Sequence, residues 1–332
     1  MTDQYNNYYA GKTVVITGGA GFIGSNLAME LVRLGASVSL IDNMMTGHGG
    51  NLANLSAIRD LVTLNVSDVR DEMSLEYFIR NGDVVFNLAG QTSHMDSMAD
   101  PFTDLKINTE AQISLLESCR RHNPSARIVF ASTRQIYGRP SELPVTEEHR
   151  LEPVDANGIN KMAGEWYHVL YHRVYGLKTT SLRLTNTYGP RMRIKDARQT
   201  FLGIWIKSTV QHGEFEVWGG EQLRDYNYVT DVTHAFLLAA AEDAAIGKIY
   251  NLGHHEVVSL AETAKALVGV AKTGTYRVCP FPKERKSIDI GSFYSSYEKI
   301  KSELGWVPRV KLSEGLSRTL DYYADGGLER YL

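Results

Sequence analysis

The chain has 332 residues, 43% of them hydrophobic and 22% charged, with a net charge of −3; these ordinary globular values exclude a disordered or fibrous class. The basic residues are scattered, which argues against a nucleic-acid surface, since that would need a basic face. Its two cysteines, Cys119 and Cys279, stand far apart and outside CxxC spacing, which argues against a disulfide framework or a zinc site and fits a reducing compartment.

The opening MTDQYNNYYAGK has no basic-then-apolar leader, and no long unbroken apolar run follows, so the expectation is a soluble, cytoplasmic protein. From there TVVITGG, SVSLIDN, LVTLNVSD, VVFNLAG, RIVFAST and TTSLRLTN follow one another as short runs rich in Val, Ile, Leu and Thr. They are apolar almost throughout, as strands covered on both faces of a parallel sheet must be. Amphipathic stretches such as IGSNLAMELVRLG and PFTDLKINTEAQISLLESCRRH lie between them and read as helices. The alternation predicts an α/β fold, a Rossmann-type doubly wound parallel sheet over residues 1–190. After NTYGPRM the texture changes: FEVWGG and IYNLG read as short strands, SLAETAKALVGV and LSEGLSRTLDYYADG as helices. Residues 191–332 are expected to form a smaller C-terminal α/β substrate domain that closes over the sheet, with some segments returning to the first domain.

The first strand runs into TGGAGFIGSNL, which sets Gly18, Gly21 and Gly24 at GxxGxxG spacing, with Phe22 and Ile23 inside the turn and a helix opening behind it. Glycines there permit a tight turn and close approach of a pyrophosphate, and the helix N-terminus offers free N–H groups and a positive dipole end. Asp42 closes the next strand, with Asn43 beside it. A carboxylate at that place accepts hydrogen bonds from an adenosine ribose diol and repels a 2′-phosphate, so NAD is the expected cofactor rather than NADP. Asp68 and Val69 in SDVRD stand where an adenine could be clamped, and Leu88, Ala89 and Gly90 in NLAGQ stand beside the phosphates or the nicotinamide ribose. Each of these two turns, taken alone, reads equally well as an ordinary loop.

These segments, together with VFASTRQIYG, NKMAGE, LRLTNTYGPR, LRDYNYVTDV, YNLG and ELGWVPRVKLSEGLSRTLDYY, fall in the order of one known family. Over nearly its whole length the chain resembles the extended short-chain dehydrogenase/reductases that act on nucleotide sugars, the branch typified by UDP-glucose 4-epimerase. In that family a Ser or Thr hydroxyl works with a Tyr and a Lys spaced YxxxK. The resemblance assigns the hydroxyl to Thr133, with Ser132 beside it, and the lysine to Lys161, which would hold the nicotinamide ribose. The tyrosine position is Asn157. A neutral amide orients a hydroxyl but cannot deprotonate it, so another base must serve. Candidates are His94 in GQTSHMDSM, a water near Thr133, or an aromatic hydroxyl from the second domain; a merely solvated or structural His94 is the plainer alternative.

A second departure lies in STRQIYG, which has Arg134 and Gln135 where dehydratases and UDP-glucuronate decarboxylases carry an acidic residue. Gln135 cannot supply the acid or base that water elimination needs, so dehydration is disfavoured. Gln135 is left as a partner for a sugar hydroxyl or as a structural residue. The resemblance further implies that Asn186 contacts the nucleotide sugar, that Arg224 grips the diphosphate with its planar fork, and that Trp218 packs on the base. The alternative for Arg224 is a surface ion pair with Asp225 or Asp231. For the remaining R-x-x-D element the chain offers ERKSIDIG, in which Asp289 has Lys286 at that spacing and Arg285 one residue farther. Either cation would serve a phosphate.

The activity implied is NAD-dependent epimerisation of a nucleotide sugar, UDP-linked and at C4, through a transient 4-keto sugar, by a homodimer joined through helices containing residues 103–122 and 157–175. Another nucleotide-sugar oxidoreductase, or a protein that binds NAD or a nucleotide sugar without turnover, are the alternatives. Asn157→Tyr is expected to leave folding and NAD binding intact.

Overall fold

The computed structural model describes residues 5, 7–45, 49–198, 200–283, 288–325 and 327–332. Seven strands form the main sheet: β1 (Thr13–Thr17), β2 (Ser37–Ile41), β3 (Val62–Asn65), β4 (Val84–Asn87), β5 (Arg127–Thr133), β6 (Lys178–Leu184) and β10 (Ile249–Asn251). All are parallel to their neighbours, in the order β10-β6-β5-β4-β1-β2-β3. This is the doubly wound order, and its direction reverses between β1 and β4. Thr17 pairs with Asn87, so the turns that follow these two strands leave the sheet side by side and open a crevice at their carboxyl ends. β4, VVFN, is buried throughout, which is why its sequence shows no alternation.

Helices α1 (Phe22–Arg33), α2 (Glu72–Ile79), α3 (His94–Ala99), α4 (Pro101–Leu105), α5 (Ala111–His122) and α6 (Ala156–Tyr175) connect these strands. The stretch expected as one helix from Pro101 is divided: a π-helical turn over Lys106–Glu110 joins α4 to α5. The extra residue in that turn lets both Asn108 and Thr109 face inward, where the Asn108 Nδ2 donates to Gln91 O (3.0 Å) and the Thr109 hydroxyl to Asn160 O (3.1 Å).

Past residue 190 the chain divides between two layers. α8 (Val229–Ala241) and α10 (Glu298–Leu304) supply Val232, Phe236 and Ile300 to the core under the main sheet, and β10 lengthens that sheet beside β6. The rest forms two small sheets, β9 (Leu223–Tyr228) with β11 (Val257–Ser259) and with β7 (Asn186–Tyr188) from just before that point, and β8 (Glu214–Trp218) with β12 (Thr275–Cys279). α7 (Phe201–Val210), α9 (Leu260–Ala271) and α11 (Leu312–Ala324) pack on them around an aromatic core that includes Trp205, Phe215, Tyr226 and Tyr323. Among the described residues no helix is long and apolar enough to cross a membrane.

Candidate active site

A cavity of about 820 Å³ runs from the glycine turn, past the end of β5, to the small sheets. At its first end Gly18 holds φ +69°, a left-handed conformation, and donates its N–H to Ile41 O at 2.8 Å. A Cβ there would meet Ala89 N at 3.0 Å, so this turn lies directly on the turn after β4. The hydroxyl of Thr17 fastens the second turn by accepting from Leu88 N and Ala89 N, each at 3.1 Å. α1 begins after Gly21 without a capping side chain, which leaves its first N–H groups for a ligand. Phe22, Ile23 and Gly24 line the cavity here, as do Gly18 and Gly21.

Asp42 and Asn43 line the same end. The Asp42 carboxylate accepts from Ala20 N and Met44 N, both at 3.0 Å, which bind the glycine turn to the loop after β2, and its burial pushes the carboxyl pKa upward. Asp68 follows β3 in the neighbouring turn. Its carboxylate is held by Arg70 at 2.7 Å and by the Asn43 Nδ2 at 2.9 Å, and the Arg70 hydrogen bonds depress its pKa. Val69 and not Asp68 reaches the cavity wall.

The middle of the cavity is built from β5, α3 and the start of α6. Thr133 ends β5, and its hydroxyl oxygen accepts from Gln135 N at 3.2 Å, which leaves the hydroxyl hydrogen free to point into the cavity. Ser132 lies beside it, with an Oγ that has no partner among the described residues. Lys161, on the second turn of α6, lies 5.0 Å from the centre of the Phe130 ring and donates to Ala131 O at 3.1 Å. Desolvation pushes its pKa down to about 8, against a weaker upward pull from Asp104. The lysine reaches its position because residue 90 is glycine: a Cβ there would stand 2.7 Å from Nζ and 2.9 Å from the Asn108 Oδ1.

Asn157 lines the cavity but is bound into its wall. Its amide Nδ2 donates to Gln91 O (2.7 Å) and to the Asp104 Oδ2 (3.1 Å), and the fully buried Asp104 also accepts from the Asn160 Nδ2 at 2.8 Å. A tyrosine here would remove one donor each from Gln91 O and Asp104, which keep those of Asn108 and Asn160, and this bears on the expectation that Asn157→Tyr leaves folding intact.

His94 opens α3 and meets two groups that no local pattern joins to it. Its Nδ1 lies 2.9 Å from the Asp155 Oδ2 without the alignment of a hydrogen bond, and the Gln135 Nε2 lies 2.8 Å from its Nε2 and 3.2 Å from its Nδ1. Asp155 is 3% exposed and is at the same time the N-cap of α6, its Oδ1 accepting from Gly158 N at 2.7 Å. One carboxylate thus fixes the start of the helix that carries Asn157 and Lys161 and stands beside the imidazole. Sequence reasoning missed Asp155; its signal was an Asp immediately before a helical pattern, a cap signature that says nothing of a second partner.

The far end belongs to β7, β8 and β9. Trp218 and Phe281 face each other edge to plane, ring centres 6.4 Å apart, on the cavity wall. Arg224 is buried rather than on the surface. Its Nη1 donates to Leu223 O (2.8 Å) and Gly291 O (2.5 Å), its Nη2 lies 4.0 Å from the Asp289 carboxylate, and its Nε has no partner among the described residues. This excludes the surface pairing with Asp225 or Asp231; Asp231 instead accepts from Arg309 N and Val310 N. Asn186 bridges this end to the middle: its Nδ2 donates to Asp225 O (2.9 Å), and its Oδ1 accepts from the Arg134 Nη2 (3.0 Å). Arg285 and Lys286 lie outside the described residues.

The reversal point of the sheet, the glycine turn and the open helix end define a dinucleotide-binding α/β protein with a second binding lobe. Comparison with known proteins narrows the class. Residues 14–253 match the model of the NAD dependent epimerase/dehydratase family. The chain is 32% identical to a putative UDP-glucose 4-epimerase of Methanocaldococcus jannaschii over 93% of this chain and 97% of the relative. It is 31% identical to UDP-glucuronic acid decarboxylase 1 of Xenopus tropicalis over 94% of this chain and 72% of the relative. Among solved structures, UDP-glucose 4-epimerase from Thermotoga maritima with UDP-glucose superposes with a TM-score of 0.86 at 30% identity, over 95% of this chain and 99% of the other. The chain belongs to the NAD dependent epimerase/dehydratase family. The cradle of Gly18 against Ala89 and the uncapped start of α1 fit the pyrophosphate of that cofactor, and Asp42 lines the same end of the cavity.

Proposed function

We propose that this protein is an NAD-dependent nucleotide-sugar epimerase acting on a UDP-linked sugar at C4, with His94 in place of the tyrosine as the proton-transfer group. The observation that carries the reading is His94, on the same cavity wall as Thr133 and Lys161 and backed at 2.9 Å by the buried Asp155 carboxylate. Bound NAD supplies a reversible hydride acceptor. The Thr133 hydroxyl hydrogen-bonds the reacting sugar oxygen. The His94 Nε2 takes the hydroxyl proton and later returns it, and the Asp155 carboxylate stabilises the imidazolium in between. The place now held by the Gln135 amide at Nε2 is where the sugar hydroxyl would sit, with Gln135 moving to a neighbouring sugar oxygen. Lys161 positions the nicotinamide ribose and adds a positive field, and Asn157 acts by holding the wall. Trp218 and Phe281 take the base, while Arg224, Asn186 and Asp289 hold the diphosphate and ribose. The diphosphate tether lets the keto sugar turn over between the two faces.

The test is incubation of purified protein with UDP-glucose, UDP-galactose and the corresponding N-acetylated and uronic sugars, followed by NMR of the products. Inversion at C4 without net NADH is the expected result; stoichiometric NADH, or UDP-sugar binding with no conversion, would overturn it.

A homodimer is part of this proposal. Ile159, Trp166, Leu170 and Val174 form an exposed apolar strip along α6, next to exposed Phe102 and Leu105. Light scattering on Trp166→Glu and Leu170→Glu should show monomers where the parent shows dimers; a monomeric parent removes this part.

A further inference from the structure

Arg134 has no counterpart in the roles assigned so far. It follows Thr133 in chain order, precedes Gln135, and lines the cavity between the proton-transfer pair and the diphosphate end. Its Nη2 donates to the Asn186 Oδ1 at 3.0 Å, and its guanidinium lies 5.4 Å from the centre of the Phe293 ring. Its Nη1 is buried and has no partner, and among the described residues no carboxylate forms an ion pair with it. Desolvation, and after it the like charge of Arg224, push the guanidinium pKa down to about 9. The carboxylates of Asp225 and Asp289 act on it with the opposite sign but without contact, and desolvation raises the carboxyl pKa of the fully buried Asp225 to about 7.

A desolvated cation facing neutral hydroxyls is a costly arrangement, whereas a carboxylate can satisfy it with two parallel hydrogen bonds. Arg224 already stands at the diphosphate position, and Arg134 faces the sugar's stretch of the cavity. We infer that Arg134 recognises a carboxylate on the sugar, so that the substrate is a nucleotide-linked uronic acid rather than a neutral hexose. The inference rests on the nucleotide-sugar reading above and narrows it to one substrate class. Asn186 holds the guanidinium in register through its Oδ1 while its own Nδ2 is anchored to β9, and Phe293 supports the guanidinium from behind. Arg134 lines one cavity with Thr133, Gln135 and His94, so a ring carboxylate would meet it there as the reacting hydroxyl meets Thr133 and His94.

The experiment is calorimetric titration of UDP, UDP-glucose and UDP-glucuronate, with UDP-galactose and UDP-galacturonate as the epimeric pair, into wild type, Arg134→Gln and Arg134→Lys. Wild type should bind the uronates about tenfold or more tighter than the neutral sugars, the size expected of one charge-assisted hydrogen-bond pair. Arg134→Gln should abolish that preference while UDP affinity stays within about twofold, and Arg134→Lys should retain part of it. Equal wild-type affinity for neutral and acidic sugars would overturn the assignment and leave the epimerase reading standing. Loss of UDP affinity in Arg134→Gln equal to the loss for UDP-glucuronate would overturn it too, by moving Arg134 to the diphosphate. No binding of any UDP compound by wild type would sink both readings. If Arg134→Gln fails to fold, the wild-type ratio and Arg134→Lys still decide the matter.

Discussion

Replacing Lys161 by methionine should stabilise the NAD-free protein while removing its activity. Burial lowers the Lys161 pKa from 10.5 to about 8, so the folded state resists a charge that the unfolded chain carries freely. The sign follows from proton binding. Between those two values the unfolded chain binds more protons than the folded one, so stability rises with pH across that window, and the penalty is fully present below it. At about 1.4 kcal/mol for each tenfold change in proton affinity, the charged lysine costs the fold roughly 3 kcal/mol at neutral pH. Methionine keeps most of the packing but loses the hydrogen bond to Ala131 O, worth about 1 kcal/mol, so the variant should be more stable by about 1–2 kcal/mol near pH 7. Raising the pH to about 9.5 relieves roughly 2 kcal/mol of the wild-type penalty and should bring the two proteins together. Thermal melts of NAD-free wild type and Lys161→Met at both pH values measure this, with a lead of a few degrees for the variant at the lower pH. A variant that melts below wild type by the same margin at both pH values would refute the reasoning.

Three further outcomes test other parts of the site. His94→Gln should lower turnover by about a hundredfold or more with UDP affinity unchanged, and Asp155→Asn, which still caps α6, should slow turnover at unchanged KM; steady-state kinetics with calorimetry separate these from misfolding, and normal turnover in His94→Gln removes its role. Gly18→Ala should lose co-purifying NAD and destabilise the fold by about 1–3 kcal/mol, because the positive φ and the Ala89 backbone leave no place for a Cβ; retention of NAD with an unchanged melting temperature would contradict this. Asn157→Tyr should lower stability by about 1–3 kcal/mol in denaturant melts by stripping donors from Gln91 O and Asp104, and an unaltered midpoint would show that the wall accepts a tyrosine.

Much of the architecture was legible because it depends on neighbours along the chain. A run such as VVFN states its two-sided burial in its own composition, and the glycine turn needs only strand, spacing and helix to be recognised. The helix expected from Pro101 was less faithful, since the π turn at Lys106–Glu110 answers to Gln91 and Asn160 rather than to its own periodicity. IYNLG read correctly as a strand, but only the assembled sheet gave it a parallel partner in β6.

By itself the sequence determined the doubly wound sheet and the glycine turn that opens α1, both of them properties of residue type and local order. Tertiary structure alone decided that Asp155 meets His94, that Asn157 is bound into a buried wall, and that Arg134 stands without a carboxylate among the described residues. The reason is physical: hydrogen-bond partnership, desolvation and charge compensation are set by whichever groups distant segments bring within a few ångströms, and a linear pattern does not carry those distances.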